Sequence, residues 1–196
     1  QKLKVNYIDL VLLHQPFADY YGAWRALEDM YADGKIRAIG ISDFYPDRMV
    51  DLASFSRIKP MVNQVETHPF NQQIEAQEWM KKYGVQIEAW APFGEGRGGL
   101  FTNETIAKIA AKYNKTVAQV ILRWELQRGI VVIPKSVHIE RMEQNLDVFD
   151  FELSDEDMQV MAGLDKKQSS FFSHTDPAMV EWFVKMVEER KNNNDH

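Results

Sequence analysis

Five short apolar runs in this chain each lead into a group of polar or aromatic residues, and those groups hold the side chains able to do chemistry. His14-Gln15-Pro16 follows the run 7–13, and Ser42-Asp43-Phe44 follows 36–41. Asn63 and Gln64 lie within 61–66, which leads into Glu66-Thr67-His68-Pro69. Trp90-Ala91-Pro92-Phe93-Gly94 closes 85–90, and Pro134-Lys135-Ser136 follows 130–133. An imidazole can hydrogen-bond or move a proton at neutral pH. Gln64, inside an apolar run, needs partners for its oxygen and its NH2 group, either a structural network or a bound amide. Lys135 and Ser136 precede a helix start, where free backbone N–H groups favour an anion, and Arg141 adds a planar fork suited to phosphate. Gly94, Gly96, Gly98 and Gly99 make a loop able to close over an elongated ligand.

Each residue also has a plainer reading. His14 fits a strand-end histidine bonded to a nearby carbonyl, and Ser42 and Asp43 fit the N-cap of the next helix. Trp90 fits a core position, and Lys135 and Arg141 fit solvated charges. The combination is more specific than its parts. A flat aromatic, an amide pair and a cationic anion pocket along one rim suit a nicotinamide nucleotide carrying an additional phosphate.

The elements that must position these groups alternate between apolar runs and helical patterns. Ala23, Leu27, Met30 and Tyr31 share one helical face, stopped by Gly34. Pro46 suits the first turn of a helix bearing Met49, Val50, Ala53 and Phe55. Further helices are predicted over 75–83, 104–113 and 139–146. Another opens on the capping-box spacing of Thr116 and Gln119. A capped helix over 154–164 and a last one opening at Asp176-Pro177 follow, and the tail 192–196 should fray. Repeated strand–helix units imply parallel strands with right-handed crossovers, either in an open doubly wound sheet or in a barrel. Each unit takes roughly 30 residues, so three more would give about 290, inside the usual barrel range. The expectation is an α/β fold, a (β/α)8 TIM barrel present here as about five parallel strands plus C-terminal helices, with 1–196 forming the C-terminal portion of one barrel domain. Gln1-Lys2-Leu3-Lys4 resembles neither a signal peptide nor a start, so the expectation is that something upstream has been removed or that the chain begins inside a longer product.

The 196 residues are 45% hydrophobic and 27% charged, which suffices for a sizeable core. A net charge of −6 without a basic run argues against nucleic acid, and no apolar run is long enough to span a bilayer. With no cysteine, the chain has no disulfide or thiolate metal site and fits the reducing cytoplasm. No metal site is expected.

YIDLVLLHQP, the GISDF stretch at 40–44, NQVETHP, EAWAPFGEG and IPKSVHIERMEQN, in this order and spacing, resemble the aldo-keto reductases over nearly the whole chain. The tryptophan of EAWAPFG and the tail from Asp176 to Trp182 are most similar to bacterial 2,5-diketogluconate reductase-like members. The resemblance implies NADPH-dependent reduction of aldehydes or ketones to alcohols by the parent protein. It assigns His14 to the substrate carbonyl, and Ser42, Asp43 and Gln64 to the nicotinamide carboxamide. Asp43 stands where the family usually has asparagine, and an acid donates as an amide does only when protonated. The resemblance further implies Trp90 stacked on the nicotinamide. It places Phe93, Gly94 and Gly96 in the loop over the pyrophosphate, Lys135, Ser136 and Arg141 on the 2′-phosphate, and Gln144 and Asn145 near adenine. Of the family's Asp–Tyr–Lys–His tetrad only the histidine is here, and the proton donor is expected upstream of Gln1, so this chain alone should be almost inactive. Tyr20 and Tyr21 are not substitutes. A catalytically silent, aldo-keto reductase-like subunit is the alternative. The partner is expected to be a small carbonyl substrate, with an intact parent that is monomeric and a shortened chain that self-associates through open sheet edges. Phe171, Phe172 and His174 are candidates to line the substrate pocket.

Overall fold

The computed structural model describes residues 4–194, so Gln1, Lys2, Leu3, Asp195 and His196 lie outside the described residues. Five strands form one sheet: β1 (Ile8–Leu13), β2 (Ile36–Ser42), β3 (Val62–Glu66), β4 (Gln86–Trp90) and β5 (Val131–Val132). They pair in chain order and every pair is parallel. A doubly wound sheet reverses its strand order at a switch point, whereas a barrel adds strands in sequence. The unbroken order is the arc of a barrel.

Helices α1 (Tyr20–Ala32), α2 (Pro46–Phe55) and α3 (Ile74–Tyr83) cross between the strands. Their Trp24, Met49, Leu52 and Met80 are buried against Ile39, Ile41, Val65, Ile87 and Ala89. A second core joins α4 (Glu104–Tyr113), α5 (Val117–Gln127) and α7 (Asp155–Ala162) through Ile106, Ile121, Trp124 and Met161. The Thr116 capping box is formed, with Gln119 reaching back to the Thr116 N–H. Helix α6 (Ile139–Leu146), between β5 and α7 in the chain, buries no residue, and α8 (Pro177–Asn194) follows α7.

Strand side chains alternate between faces. With Ile41 and the other apolar residues packed on the helices, the register sets Ser42, Gln64 and Glu88 in one row on the opposite, inner face. Glu66 and Trp90 make the next row toward the strand ends. Below them Leu12 pairs with Gly40, where an added Cβ would lie 2.6 Å from Leu12 Cδ2 and 2.7 Å from the Val62 carbonyl. The backbone closes tightly at this layer, and the polar rows stand above it.

Several expectations change. Neither Ser42 nor Asp43 caps α2: its N-cap is Tyr45, without a side-chain bond, because the chain needs three residues to turn from β2 into Pro46. The fifth strand shrinks to two paired residues, since among the described residues it is bonded on one side only. The N-cap of α6 is His138, and the Ser136 hydroxyl just before it accepts the His138 N–H at 3.1 Å. The expected frayed tail lies partly outside the described residues, and α8 continues to Asn194. Among the described residues no helix is long and apolar enough to cross a membrane.

Candidate functional site

Hydrogen bonds within the inner rows hold the rim together. Ser42 Oγ donates to the Gln64 carbonyl at 3.0 Å, and the Asp43 N–H donates to the same oxygen at 2.9 Å. Gln64 Nε2 donates to Glu88 Oε1 at 2.5 Å, so this amide already has a carboxylate partner. Asp43 has left-handed backbone, φ 56°, a region that aspartate tolerates better than most residues. That turn ends the strand and aims the carboxylate sideways. Trp90 Nε1–H donates to its Oδ1 at 2.8 Å, while Oδ2 lies 3.5 Å from His174 Nε2. His14 follows Leu13 directly, is exposed, and by continuing the β1–β2 register stands level with Ser42.

The segment 169–174 runs across these strand ends as a strap. Buried Glu66 fastens it: Oε1 accepts the Ser170 N–H at 2.8 Å and Oε2 accepts the Ser169 hydroxyl. The same carboxylate lies 2.8 Å from His68 Nε2. Burial opposes ionisation of Glu66, but the bonds from His68, Ser169 and the Ser170 N–H outweigh it and hold the carboxyl below its usual range. Phe171 meets Trp90 at a centroid distance of 5.0 Å and an angle of 54°, and the Arg97 guanidinium lies 4.4 Å over the Phe171 ring. Phe172 and His174 line a cavity of about 1000 Å3 with Asp43, Trp90 and Glu66. That cavity also reaches Val50 and Trp79 between α2 and α3.

Burial pushes the Asp43 carboxyl up to about 6; bonds from Trp90 and Ser42 oppose the rise and the Glu66 charge adds to it. His174 is pushed down to about 4, by burial first and then by the Arg48 charge. Tyr21 donates to Asp51 at 2.6 Å, and burial together with that bond raises its phenol to about 12. A proton donor needs the opposite shift at neutral pH.

A second cavity, about 590 Å3, gathers Phe93, Gly96, Lys135, Ser136, Arg141, Gln144 and Asn145, joined by Glu95, Phe101, Thr116, Val117, Ala118, Val137 and His138. Four elements bring these residues together: the glycine loop (Gly94–Thr102) with Phe93 before it, the start of α5, the β5–α6 connection and the exposed side of α6. Gly96, Gly98 and Gly99 all have positive φ, which lets the loop fold back over the cavity. Gly94 sits differently. It is buried behind the loop, its N–H bonded to the Ala91 carbonyl at 2.8 Å, and an added Cβ would meet Leu100 Cδ1 at 3.2 Å. Among the described residues, His14, Ser42, Gln64 and Gly94 line neither of the two cavities. Trp90 and Phe93, at either end of one turn, link the rim to the second cavity.

Residues 1–166 match the family model described as the aldo/keto reductase family. The chain belongs to the aldo/keto reductase family. It is 50% identical over 169 residues to the glyoxal reductase of Bacillus subtilis, covering 86% of this chain and 60% of that protein. Among solved structures it is similar to MGS-M4, an aldo-keto reductase from a Medee basin deep-sea metagenome library, with a TM-score of 0.84 and 43% identity over 89% of this chain and 65% of that one. A Bombyx mori aldo-keto reductase in complex with NADP follows at 33% identity and a TM-score of 0.82, over 87% of this chain and 62% of that one. The chain thus spans about 60% of the length of the curated relative it matches.

Several residues of the site escape a reading of the sequence. Glu66 ends an apolar strand, a signal visible in ETHP, but its partners Ser169 and Ser170 lie more than 100 positions away. Glu88 carries no local mark beyond a charge inside a strand, and only the register shows that it meets Gln64.

Proposed function

We propose that the protein carrying this chain reduces small carbonyl compounds to alcohols with NADPH, and that this part of it holds the nucleotide. The observation that carries the reading is the second cavity. Its volume is within the range of about 300–1,000 Å3 typical of small-molecule sites. Lys135, Ser136 and Arg141 converge there with Gln144 and Asn145, a set that fits a phosphorylated ribose and its base. Arg141 lies in the first turn of α6, where the unpaired backbone N–H groups also favour an anion. When bound, NADPH supplies the hydride.

The rim supplies orientation. Trp90 offers an aromatic face to the nicotinamide, and Ser42 and Gln64 stand at its carboxamide with Asp43 beside them. His14 donates to the substrate carbonyl oxygen and aligns the carbon for attack. The tyrosine acid of the family tetrad is proposed to come from outside this chain. The likeness to a protein named glyoxal reductase supports a small aldehyde or dicarbonyl as substrate. The absence of cysteine supports a cytoplasmic setting.

Titration of the intact protein with NADPH and NADH tests this. Arg141→Ala should weaken NADPH by about 10- to 100-fold, the usual effect of losing a charged hydrogen bond, and leave NADH nearly unchanged. Equal affinity of the wild type for both nucleotides, or no effect of the substitution, would overturn the phosphate assignment. Binding of NADPH without turnover of any small aldehyde would favour a silent subunit.

A further inference from the structure

Asp43 has more partners than a carboxamide ligand needs. We infer that Asp43 is a positioning residue whose carboxylate sets the plane of the Trp90 indole and anchors the strap 169–174 through His174, so that ring platform and strap move together. This rests on the reading of Trp90 as the nicotinamide platform.

Each oxygen faces a ring N–H. Oδ1 accepts Trp90 Nε1–H at 2.8 Å, and Oδ2 faces His174 Nε2 at 3.5 Å. Asp43 is 6% exposed, so water competes little for either contact. Its own backbone is fixed, since the N–H is bonded to the Gln64 carbonyl and φ is 56°. His174 is equally constrained. Its Nε2 lies 2.6 Å from Gln15 Oε1, which as an acceptor requires the proton on that nitrogen. The ring packs against Phe17, Tyr45, Phe172 and Phe183.

The indole N–H is donated to one carboxylate oxygen, while the imidazole Nε2–H, donated to Gln15 at 2.6 Å, turns its positive edge toward the other oxygen at 3.5 Å. A carboxylate favours both approaches. An asparagine accepts only through Oδ1, and its NH2 would face the His174 N–H donor to donor. The acid at this position thus joins Trp90 to the strap in a way an amide does not. Other charged groups surround the pair: Glu66 on β3 beside Asp43, Arg48 on α2 and His14 at the end of β1 near His174. Titration here belongs to that cluster.

Indole N–H resonances of the intact protein test the inference, with Trp90→Phe identifying the relevant one of five tryptophans. The Trp90 signal should move with pH through a midpoint near 6 in the wild type and lose that step in Asp43→Asn. Amide exchange of the strap should quicken about tenfold in Asp43→Asn and in His174→Phe, which keeps the ring packing and removes the donor. Adenosine 2′,5′-bisphosphate, which reaches only the second cavity, should bind the wild type and Asp43→Asn equally. A pH-insensitive Trp90 signal in the wild type, or unchanged strap exchange in both variants, overturns the inference. If the wild type binds neither NADPH nor the bisphosphate, the cofactor reading falls, while the resonance and exchange measurements still decide the role of Asp43.

Discussion

Asp43 and His174 lie in contact, and their acid–base properties pull stability in opposite directions. Burial raises Asp43 from 3.8 to about 6, so its contribution to folding is present below pH 3.8 and lost as pH rises through 6. Burial lowers His174 from 6.5 to about 4, so its contribution is present above pH 6.5 and lost as pH falls through 4. Each shift corresponds to about 3 kcal/mol at its limit, and between pH 4 and 6 the two slopes nearly cancel. Urea midpoints measured across that window should separate them. Relative to wild type, Asp43→Asn should lose stability as pH falls from 6.5 to 4, and His174→Phe should gain it. Parallel curves for all three proteins would show that the pair is not coupled to folding. This pairing is invisible in the sequence, where GISDF and the histidine at 174 are 131 positions apart. The strand-end positions of His14, Ser42 and Trp90, and that of Gln64 within β3, were legible because each ends or lines an apolar run, a local signal. Their partners were not, because hydrogen bonds across the sheet follow register.

At the scale of elements, local rules performed well wherever one residue type settles the geometry. Pro46 begins α2, the Thr116 box opens α5, and the positive φ of Gly34 and Gly84 ends α1 and α3. They failed where geometry is set from elsewhere, as at Asp43, which looks like a cap and instead turns its carboxylate toward Trp90. Gly40 shows the same limit. Its φ is ordinary, and glycine is needed because Leu12 and the Val62 carbonyl fill the space where a Cβ would stand. Gly40→Ala should push β1 and β3 apart from β2 and destabilise the protein by about 1–3 kcal/mol, the usual effect of overpacking. Thermal unfolding of the variant measures it. An unchanged transition would mean that the sheet yields there without strain.

For the whole molecule, the decisive property is an arc with two open sides. Among the described residues β1 pairs only with β2, and β5 only with β4. Tyr7 and Ile8 are exposed along one edge, Val131 and Ile133 along the other, and Ile139, Met142 and Leu146 stand out from α6 beside the second. Unpaired edges beside apolar surface invite association. This 196-residue chain, expressed alone, should therefore sediment as dimers or larger species. A monodisperse monomer at micromolar concentration would contradict that expectation. The arc itself was foreseeable from the number and spacing of strand–helix units. The strap over the strand ends was not, because serines and phenylalanines in a loop give no pattern from which a path can be read.

Helix α6 faces two ways: Arg141, Gln144 and Asn145 line the second cavity, while Ile139 and Leu146 are bare. A wall so lightly held by its own chain ties two equilibria to each other. Whatever covers the bare side should steady Arg141 and so tighten the hold on the nucleotide proposed for this cavity. By thermodynamic reciprocity, a nucleotide bound there as proposed would strengthen that cover by the same factor. Ligand affinity at this helix becomes a gauge of how completely the arc is enclosed.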